Sequence, residues 1–210
     1  MQDPVTSIFY VLILIMSVVI HEVSHGYAAL RYGDETAKNA GRLTLNPIRH
    51  LDPVGSIFLP LILIISQSPF LIGWAKPVPY NPNNLRDQRW GTFAVAIAGV
   101  IANFFIAIVF SLLIRLGMNY FPGFAESPLF FISKIIVVLN IVLAIFNLVP
   151  IPPLDGSKIL FSLIGNRMSE LQYFLEKYSF AFLLVFIFFL WKYFSIIIFA
   201  LFQLFTGVPF

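Results

Sequence analysis

Five long apolar stretches dominate the chain, and they constrain its fold more than any other feature. They cover 4–30, 53–72, 91–114, 129–150 and 179–206. As a helix, each is long enough to cross the roughly 30 Å hydrocarbon core of a bilayer, which takes about 20 apolar residues. Because the stretches run continuously and do not alternate in short segments, they exclude a transmembrane β-barrel. The sequence predicts an all-α polytopic membrane protein.

The polar sequence between these stretches is too short to form a water-soluble domain. Only 11% of the 210 residues are charged, against about 25% in globular proteins. We expect a single transmembrane domain over 1–210, with its core at about 4–165 and one or more hydrophobic C-terminal helices at about 168–206. The net charge of +3 is too small to indicate nucleic acid, and the absence of cysteine excludes disulfides and cysteine zinc ligands.

Near the end of the first stretch, residues 21–25 form the motif H-E-x-x-H. On a helix, residues four apart project from one face, so His21 and His25 can bind one zinc ion. Glu22 would lie beside the metal, where a carboxylate can accept a proton from water and later deliver it to a leaving amine. A hydrogen-bonded cluster without metal is the alternative, but ionisable residues within an apolar helix are costly and mark function.

Two residues compete to be the third metal ligand, since catalytic zinc sites usually have three protein ligands. Asp155 follows the proline-rich end of the fourth stretch, and Gly156 beside it permits a sharp turn. Asp155 could instead cap a short helix that begins near Ser157. His50, the other candidate, lies in the polar connection between the first two stretches, where its residue type favours an interfacial histidine without metal.

Three motifs in the chain resemble those of the site-2 protease family of intramembrane zinc metalloproteases. They are H-E-x-x-H at 21–25, A-G-V-I-A-N at 98–103 and N-L-V-P-I-P-P-L-D-G at 147–156. The resemblance extends over about residues 10–165, with one departure at Val100, where the family often has proline. The chain has no room for a PDZ or CBS domain, so it is similar to a minimal member of the family.

The resemblance implies a role for each matching residue. His21, His25 and Asp155 would hold one Zn²⁺ per chain, and Glu22 would be the catalytic carboxylate. Asn103 and Asn147 match asparagines near the site in this family, which suggests contacts with the substrate or its oxyanion. Interhelical hydrogen bonds are the alternative role for both asparagines.

The basic residues indicate which stretches cross the membrane. If all five crossed, the ends of the first and fourth would lie on opposite sides, and His25 and Asp155 could not share a metal ion. If 53–72 is instead a re-entrant hairpin, the two ends coincide, and Arg115 and Lys134 lie opposite ten other basic residues. These ten are Arg31, Lys38, Arg42, Arg49, Lys76, Arg86, Arg89, Lys158, Arg167 and Lys177.

The pattern of basic residues therefore predicts about four transmembrane helices, an N-terminus outside and a metal site near the cytoplasmic side. Lys192 interrupts the last stretch, so 179–206 is either one helix or a crossing followed by an interfacial helix. The segment 73–84 resembles the family's short β-like membrane-associated loop, which could pair with a substrate strand through main-chain hydrogen bonds.

Together these features predict an intramembrane zinc endopeptidase that cuts transmembrane segments of other proteins in regulated intramembrane proteolysis. We expect single-span membrane proteins as substrates, the lipid bilayer as surroundings and no nucleic-acid partner. By analogy with the family, we expect a prokaryotic cytoplasmic membrane. A zinc or cation transporter is an alternative, although the chain lacks inverted repeats. An inactive scaffold that binds membrane helices is another, although all four residues of the candidate centre are present.

Overall fold

A computed structural model describes residues 4–66, 75–165 and 169–210, and no β-strand occurs within these ranges. The α-helices are α1 (Pro4–Arg31), α2 (Thr36–Asn39), α3 (Leu59–Ile65), α4 (Gln88–Tyr120), α5 (Pro128–Asn147), α6 (Asp155–Ile164), α7 (Ser169–Lys177), α8 (Ser179–Val185) and α9 (Trp191–Thr206). Short 3₁₀ turns cover Pro47–His50, Pro82–Asn84 and Phe124–Glu126, and π-helical turns cover Pro53–Phe58 and Phe186–Leu190.

Within the described residues, four helical segments are long and apolar enough to cross a membrane. They are Ile8–Arg31, Gln88–Tyr120, Pro128–Asn147 and Ser179–Thr206. The last segment joins α8, a π-helical turn and α9, so 179–206 is one helical run. These segments confirm that the chain is an all-α, integral membrane protein.

The second apolar stretch differs from the other four. Its described part is helical over 53–65, a length of roughly 20 Å at 1.5 Å per residue, which is too short to cross a bilayer. Residues 67–72 lie outside the described part of the chain, so the predicted re-entrant hairpin is not confirmed. The predicted β-like loop is not confirmed either, because 75–81 has no regular secondary structure and 82–84 is a 3₁₀ turn, while 73–74 is not described.

Side-chain caps and prolines set the limits of the long helices. The Asp87 carboxylate accepts a hydrogen bond from the backbone N–H of Trp90, which satisfies a free donor in the first turn of α4. Ser127 caps α5 in the same way, and Pro128 suits the first helical position, where its missing N–H is not needed. α5 ends at Asn147 because three prolines in 150–153 prevent its continuation.

The central helix of the bundle is α4, which packs against α1, α5, α6 and α9. A buried apolar cluster joins α4, α5 and α9 through Ala107, Ile114, Val137, Ile141, Ile198 and Phe202. A smaller cluster joins α1 to the start of α4 through Ala29, Leu85 and Val95. Because α4 contacts both α1 and α6, it brings together the two helices that carry the motifs.

The long connection between α1 and α4 begins and ends at the same end of the bundle. The backbone N–H of Arg86 donates a 2.8 Å hydrogen bond to the carbonyl of Tyr32. The fully buried Asp34 carboxylate accepts hydrogen bonds from the backbone N–H of Asn81, at 2.7 Å, and from the Asn84 amide, at 2.9 Å. The chain that leaves α1 therefore returns to the same level before α4 starts.

Candidate metal centre

Three side chains from two helices meet in the interior of the bundle. His21 and His25 lie one turn apart on α1, and their Nε2 atoms are 3.0 Å apart. Asp155 is the first residue of α6, and its Oδ2 lies 3.1 Å from His21 Nε2 and 3.0 Å from His25 Nε2. All three residues are buried. The structure thus brings together the three predicted ligand residues, from positions far apart in the sequence.

The dimensions of this triangle suit a tetrahedral metal ion. Ligand atoms at roughly 2.0–2.1 Å from a tetrahedral zinc are about 3.3 Å from one another. The three atoms of His21, His25 and Asp155 are separated by 3.0–3.1 Å. The observed triangle is therefore slightly smaller than one face of an ideal zinc-centred tetrahedron of ligand atoms.

Hydrogen bonds at the far sides of the two imidazoles also fit a metal. His21 Nδ1 lies 2.6 Å from Asn103 Oδ1, and His25 Nδ1 lies 2.6 Å from the carbonyl of Val95. Both partners are acceptors, so each neutral ring carries its proton on Nδ1 and directs the Nε2 lone pair at the other two ligand atoms. Three acceptor atoms directed at one point can hold a cation between them, and this donor set fits zinc.

Two glycines allow the backbone to approach the centre closely. A Cβ atom at Gly99 of α4 would lie 2.5–2.6 Å from ring atoms of His21. A Cβ atom at Gly156 would lie 2.3 Å from the carbonyl oxygen of Leu148. Only glycine fits at such distances, which gives a physical reason for the glycine in each of the two later motifs.

Glu22 lies beside the triangle on the same turn of α1. Single ligand atoms of His21, Glu22 and His25 lie within 4.8 Å of one another. The half-buried Glu22 carboxylate accepts a 2.8 Å hydrogen bond from the backbone N–H of Val78 through Oε2. Val78 belongs to residues 75–80, which we call the strap. The strap thus contacts the centre directly.

The second oxygen of Asp155 faces a lysine. Lys158 Nζ donates a 3.2 Å hydrogen bond to Asp155 Oδ1, one turn along α6. Burial raises the pKa of the Asp155 carboxyl, whereas the positive charge of Lys158 lowers it. Lys158 thus favours the ionised carboxylate that metal binding requires.

His50, the competing candidate for third ligand, has other partners. Its ring is almost fully buried, and Nε2 donates a 2.8 Å hydrogen bond to the carbonyl of Thr44. Its own carbonyl accepts from the backbone N–H of Lys76 in the strap. The position beside the two histidines belongs to Asp155, so His50 supports the strap and does not complete the triangle.

The two asparagines of the motifs lie in different surroundings. Asn103 is fully buried on α4, where Oδ1 faces His21 and Nδ2 donates a 2.8 Å hydrogen bond to Asn140 Oδ1 on α5. Asn147 is half-buried at the end of α5, and Nδ2 donates to the carbonyl of Leu143 in its own helix.

Sequence reasoning missed the residues behind Asn103. Asn140 Nδ2 donates a 2.9 Å hydrogen bond to Ser17 Oγ on α1, and both residues are buried. A signal was present, because Asn140 lies in the middle of an apolar stretch, where a polar side chain must find a partner.

The sequence is similar to those of several known proteins. The chain is 42% identical over 183 residues to "Putative zinc metalloprotease YwhC" of Bacillus subtilis, covering 84% of this chain and 78% of the relative. It is 30% identical over 142 residues to "Putative zinc metalloprotease Rip2" of Mycolicibacterium smegmatis, covering 68% of this chain and 52% of the relative. It is 26% identical over 169 residues to "Zinc metalloprotease MJ0392" of Methanocaldococcus jannaschii, covering 79% and 38%.

The chain therefore spans most of YwhC, but only about half of Rip2. A family model for peptidase family M50 matches residues 116–190, which include Asp155. No solved structure matches the chain with comparable significance. From the identity with YwhC over most of both chains, and from the family model, it follows that this protein is a zinc metalloprotease that belongs to peptidase family M50, the site-2 protease family.

Proposed function

We propose that the protein is an intramembrane zinc endopeptidase, which hydrolyses peptide bonds in transmembrane segments of other membrane proteins during regulated intramembrane proteolysis. The observation that carries this proposal is the buried triangle of His21, His25 and Asp155 with Glu22 beside it. His21 and His25 lie within a candidate membrane span. One Zn²⁺ per chain would be held by these three residues, and 1–210 would act as one metalloprotease domain.

Each group at the centre has a distinct task in this proposal. When bound, zinc acts as a Lewis acid that polarises the scissile carbonyl and lowers the pKa of a water molecule. Glu22 accepts a proton from the attacking water and delivers it to the leaving amine. The hydrogen bond from Val78 to Oε2 fixes the carboxylate, and we assign the proton transfer to Oε1. His21 and His25 hold their Nε2 lone pairs toward the metal.

Asn147 is the better candidate for contact with the substrate carbonyl or oxyanion. Its side chain is half-buried, and its carboxamide uses Nδ2 for a bond within α5. Asn103 is fully buried, and its Oδ1 and Nδ2 contact His21 and Asn140 respectively. Both polar atoms of the Asn103 amide are therefore used to position His21, and neither is left for a substrate.

The proposed topology has four crossings, with the N-terminus outside and the metal near the cytoplasmic side of a prokaryotic membrane. The hydrogen bond between Arg86 and Tyr32 supports it, since the connection from α1 to α4 starts and ends at one level. A re-entrant 53–72 segment agrees with this return and with the concentration of basic residues on one side. The strap would lie beside a single-span substrate and pair with its main chain.

The test is cleavage of a single-span membrane protein by the purified protein with zinc. We expect Glu22→Gln to slow cleavage at least about 100-fold, the lower limit for loss of a general acid–base group, with zinc content unchanged. Glu35→Gln is the matched control, because Glu35 is exposed and pairs with Lys38. Equal cleavage rates for the wild type and Glu22→Gln would contradict the mechanism.

A further inference from the structure

A chain of buried polar side chains runs from the metal centre through three helices. It starts at His21 on α1, continues through Asn103 on α4 and Asn140 on α5, and returns to α1 at Ser17. The hydrogen bonds measure 2.6, 2.8 and 2.9 Å in that order. Asn103 and Asn140 have no exposed surface, and Ser17 is 4% exposed. Their polar groups therefore depend on one another for partners.

The direction of every hydrogen bond in this chain follows from one backbone carbonyl. Asn140 lies 2.9 Å from the carbonyl oxygen of Ile136, which can only accept. The atom of Asn140 that faces Ile136 is therefore its Nδ2, and its two protons go to Ile136 and Ser17. The remaining atom, Oδ1, must face Asn103, where it accepts a hydrogen bond.

The orientation of the Asn140 amide in turn fixes that of Asn103 and the tautomer of His21. Because Asn140 presents an oxygen, Asn103 must present its Nδ2 to it, which leaves Asn103 Oδ1 against the ring of His21. An oxygen there requires a proton on His21 Nδ1, so Nε2 keeps its lone pair for the metal. Rotation of the Asn103 amide would place two oxygens together in a buried site, where an unsatisfied acceptor is costly.

His25 shows why His21 needs this support. The Nδ1 atom of His25 faces the carbonyl of Val95, a backbone group that can accept but cannot donate. The partner of His21 is instead a side-chain amide, which can present either an acceptor or a donor. Only the residues behind Asn103 decide which one it presents.

We infer that Asn140, with Ser17, is a positioning residue that fixes the Asn103 amide and so keeps the His21 proton on Nδ1, with Nε2 free to bind metal. The importance of this tautomer for zinc binding rests on the proposed function. The position of the proton on His21 does not depend on that function, so the tautomer and the zinc affinity can be tested separately.

The experiment measures both quantities in full-length protein. In zinc-free protein with ¹⁵N-labelled histidine at alkaline pH, the imidazole ¹⁵N shifts report which nitrogen carries the proton. We expect wild-type His21 and His25 to be protonated on Nδ1, and His50 on Nε2, where it donates to Thr44. In Asn140→Leu, we expect His21 to populate the Nε2–H form, with His25 and His50 unchanged. Zinc affinity should fall about 10–100-fold, as for other groups that orient a ligand.

Two further variants separate positioning from general packing. In Asn140→Asp, the carboxylate can only accept a hydrogen bond, so Asn103 must still present its Nδ2 and the wild-type tautomer of His21 should be retained. Ser133→Ala removes a buried hydroxyl from the same helix, whose bond goes only to its own backbone at Leu129. We expect Ser133→Ala to leave both the tautomer and the zinc affinity unchanged.

The unchanged signals of His25 and His50 show that a variant is folded, and Asn140→Ala replaces Asn140→Leu if leucine is not accommodated. The inference is overturned if His21 keeps its proton on Nδ1 in Asn140→Leu or Asn140→Ala, or if the tautomer changes while zinc affinity does not. A wild-type protein that binds no zinc would refute the proposed function, yet the ¹⁵N shifts would still decide the hydrogen-bond direction.

Discussion

The backbone N–H of Val78 donates a 2.8 Å hydrogen bond to Oε2 of Glu22. The strap is thereby joined to the proposed general base, although the two are more than fifty residues apart. The strap is in turn hydrogen-bonded to the buried Arg42, whose Nη2 donates to the carbonyls of Lys76 and Pro77 at 2.7 and 3.3 Å. The orientation of Glu22 therefore depends on Arg42.

This dependence predicts the effect of Arg42→Lys. A lysine keeps the charge but cannot reproduce the guanidinium geometry. The lost charged hydrogen bonds are worth about 1.5–3 kcal/mol, which as an increase in the activation free energy corresponds to a rate decrease of roughly 10–100-fold. We therefore expect kcat to fall within that range, with the zinc content unchanged. Cleavage kinetics and metal analysis check it. Arg49→Lys is the control, since Arg49 is exposed. A loss of zinc in Arg42→Lys would contradict this account.

Removal of one ligand should release the metal. Asp155→Asn keeps the shape of the side chain but loses the charge that faces both histidines. We expect zinc affinity to fall by more than about 100-fold, beyond the range for residues that only orient ligands. Competition with a fluorescent chelator measures this. An affinity close to that of the wild type would exclude Asp155 as a ligand.

Zinc should also stabilise the folded protein. A ligand that binds only the folded state at 100 times its Kd adds about 2.7 kcal/mol to the free energy of unfolding. We therefore expect chelation to lower the thermal midpoint of the wild type, and zinc to restore it. In Asp155→Asn, chelator and zinc should have little effect on the midpoint.

The close approach of Gly99 to His21 gives a paired comparison within α4. A Cβ at Gly99 would meet the His21 ring at 2.5–2.6 Å, and a Cβ at Gly117 would meet the Phe124 ring at 2.3–2.5 Å. Overpacking of this kind costs about 1–3 kcal/mol, so both Gly→Ala variants should unfold at lower temperature. Only Gly99→Ala should also lose zinc affinity. Equal zinc affinities in the two variants would argue against His21 as a ligand.

Asp34 should make the connection between α1 and α4 sensitive to acid. Burial raises the pKa of this carboxyl, but hydrogen bonds from Thr36, Asn84 and Asn81 outweigh it and lower the pKa below 3.8. A lowered pKa contributes stability that is present above the unfolded value of 3.8 and is lost as the pH falls through the folded value.

Asp34→Asn should therefore be less stable than the wild type near neutral pH, by roughly 1–3 kcal/mol for lost charged hydrogen bonds. The difference in unfolding free energy should shrink as the pH drops below about 4. Thermal unfolding in detergent across this range measures it. A difference that is constant with pH would show that the Asp34 charge does not stabilise the connection.

Local patterns predicted much of the fold and part of the centre. Helical periodicity places His21 and His25 on one face whatever surrounds them, and the apolar stretches correspond to helices because length and composition decide a membrane span. The stretch at 53–72 was the exception. Its composition allows a crossing, but the return of the chain from Tyr32 to Arg86 and the distribution of basic residues argue against one.

Contacts between distant parts of the chain could not be read from spacing. The residues alone left both Asp155 and His50 as candidates for the third ligand, with His50 the less favoured, and resemblance to a family pointed to Asp155. The pairing of Asn103 with Asn140 depends on how α4 packs against α5. An asparagine within an apolar stretch predicts that its side chain has a hydrogen-bond partner. The sequence does not say which of the chain's several polar groups that partner is.

The turn between α5 and α6 acts as a spacer of set length. Gly156 lies against the carbonyl of Leu148, so the length of the segment between these two residues cannot change without separating them. Adding or deleting one residue would move Asp155 by about 3.8 Å along the chain, which exceeds the 3.0–3.1 Å separations among the ligand atoms. Insertions and deletions among natural relatives should accordingly collect in the largely exposed connection at 121–127 and be absent from 148–155.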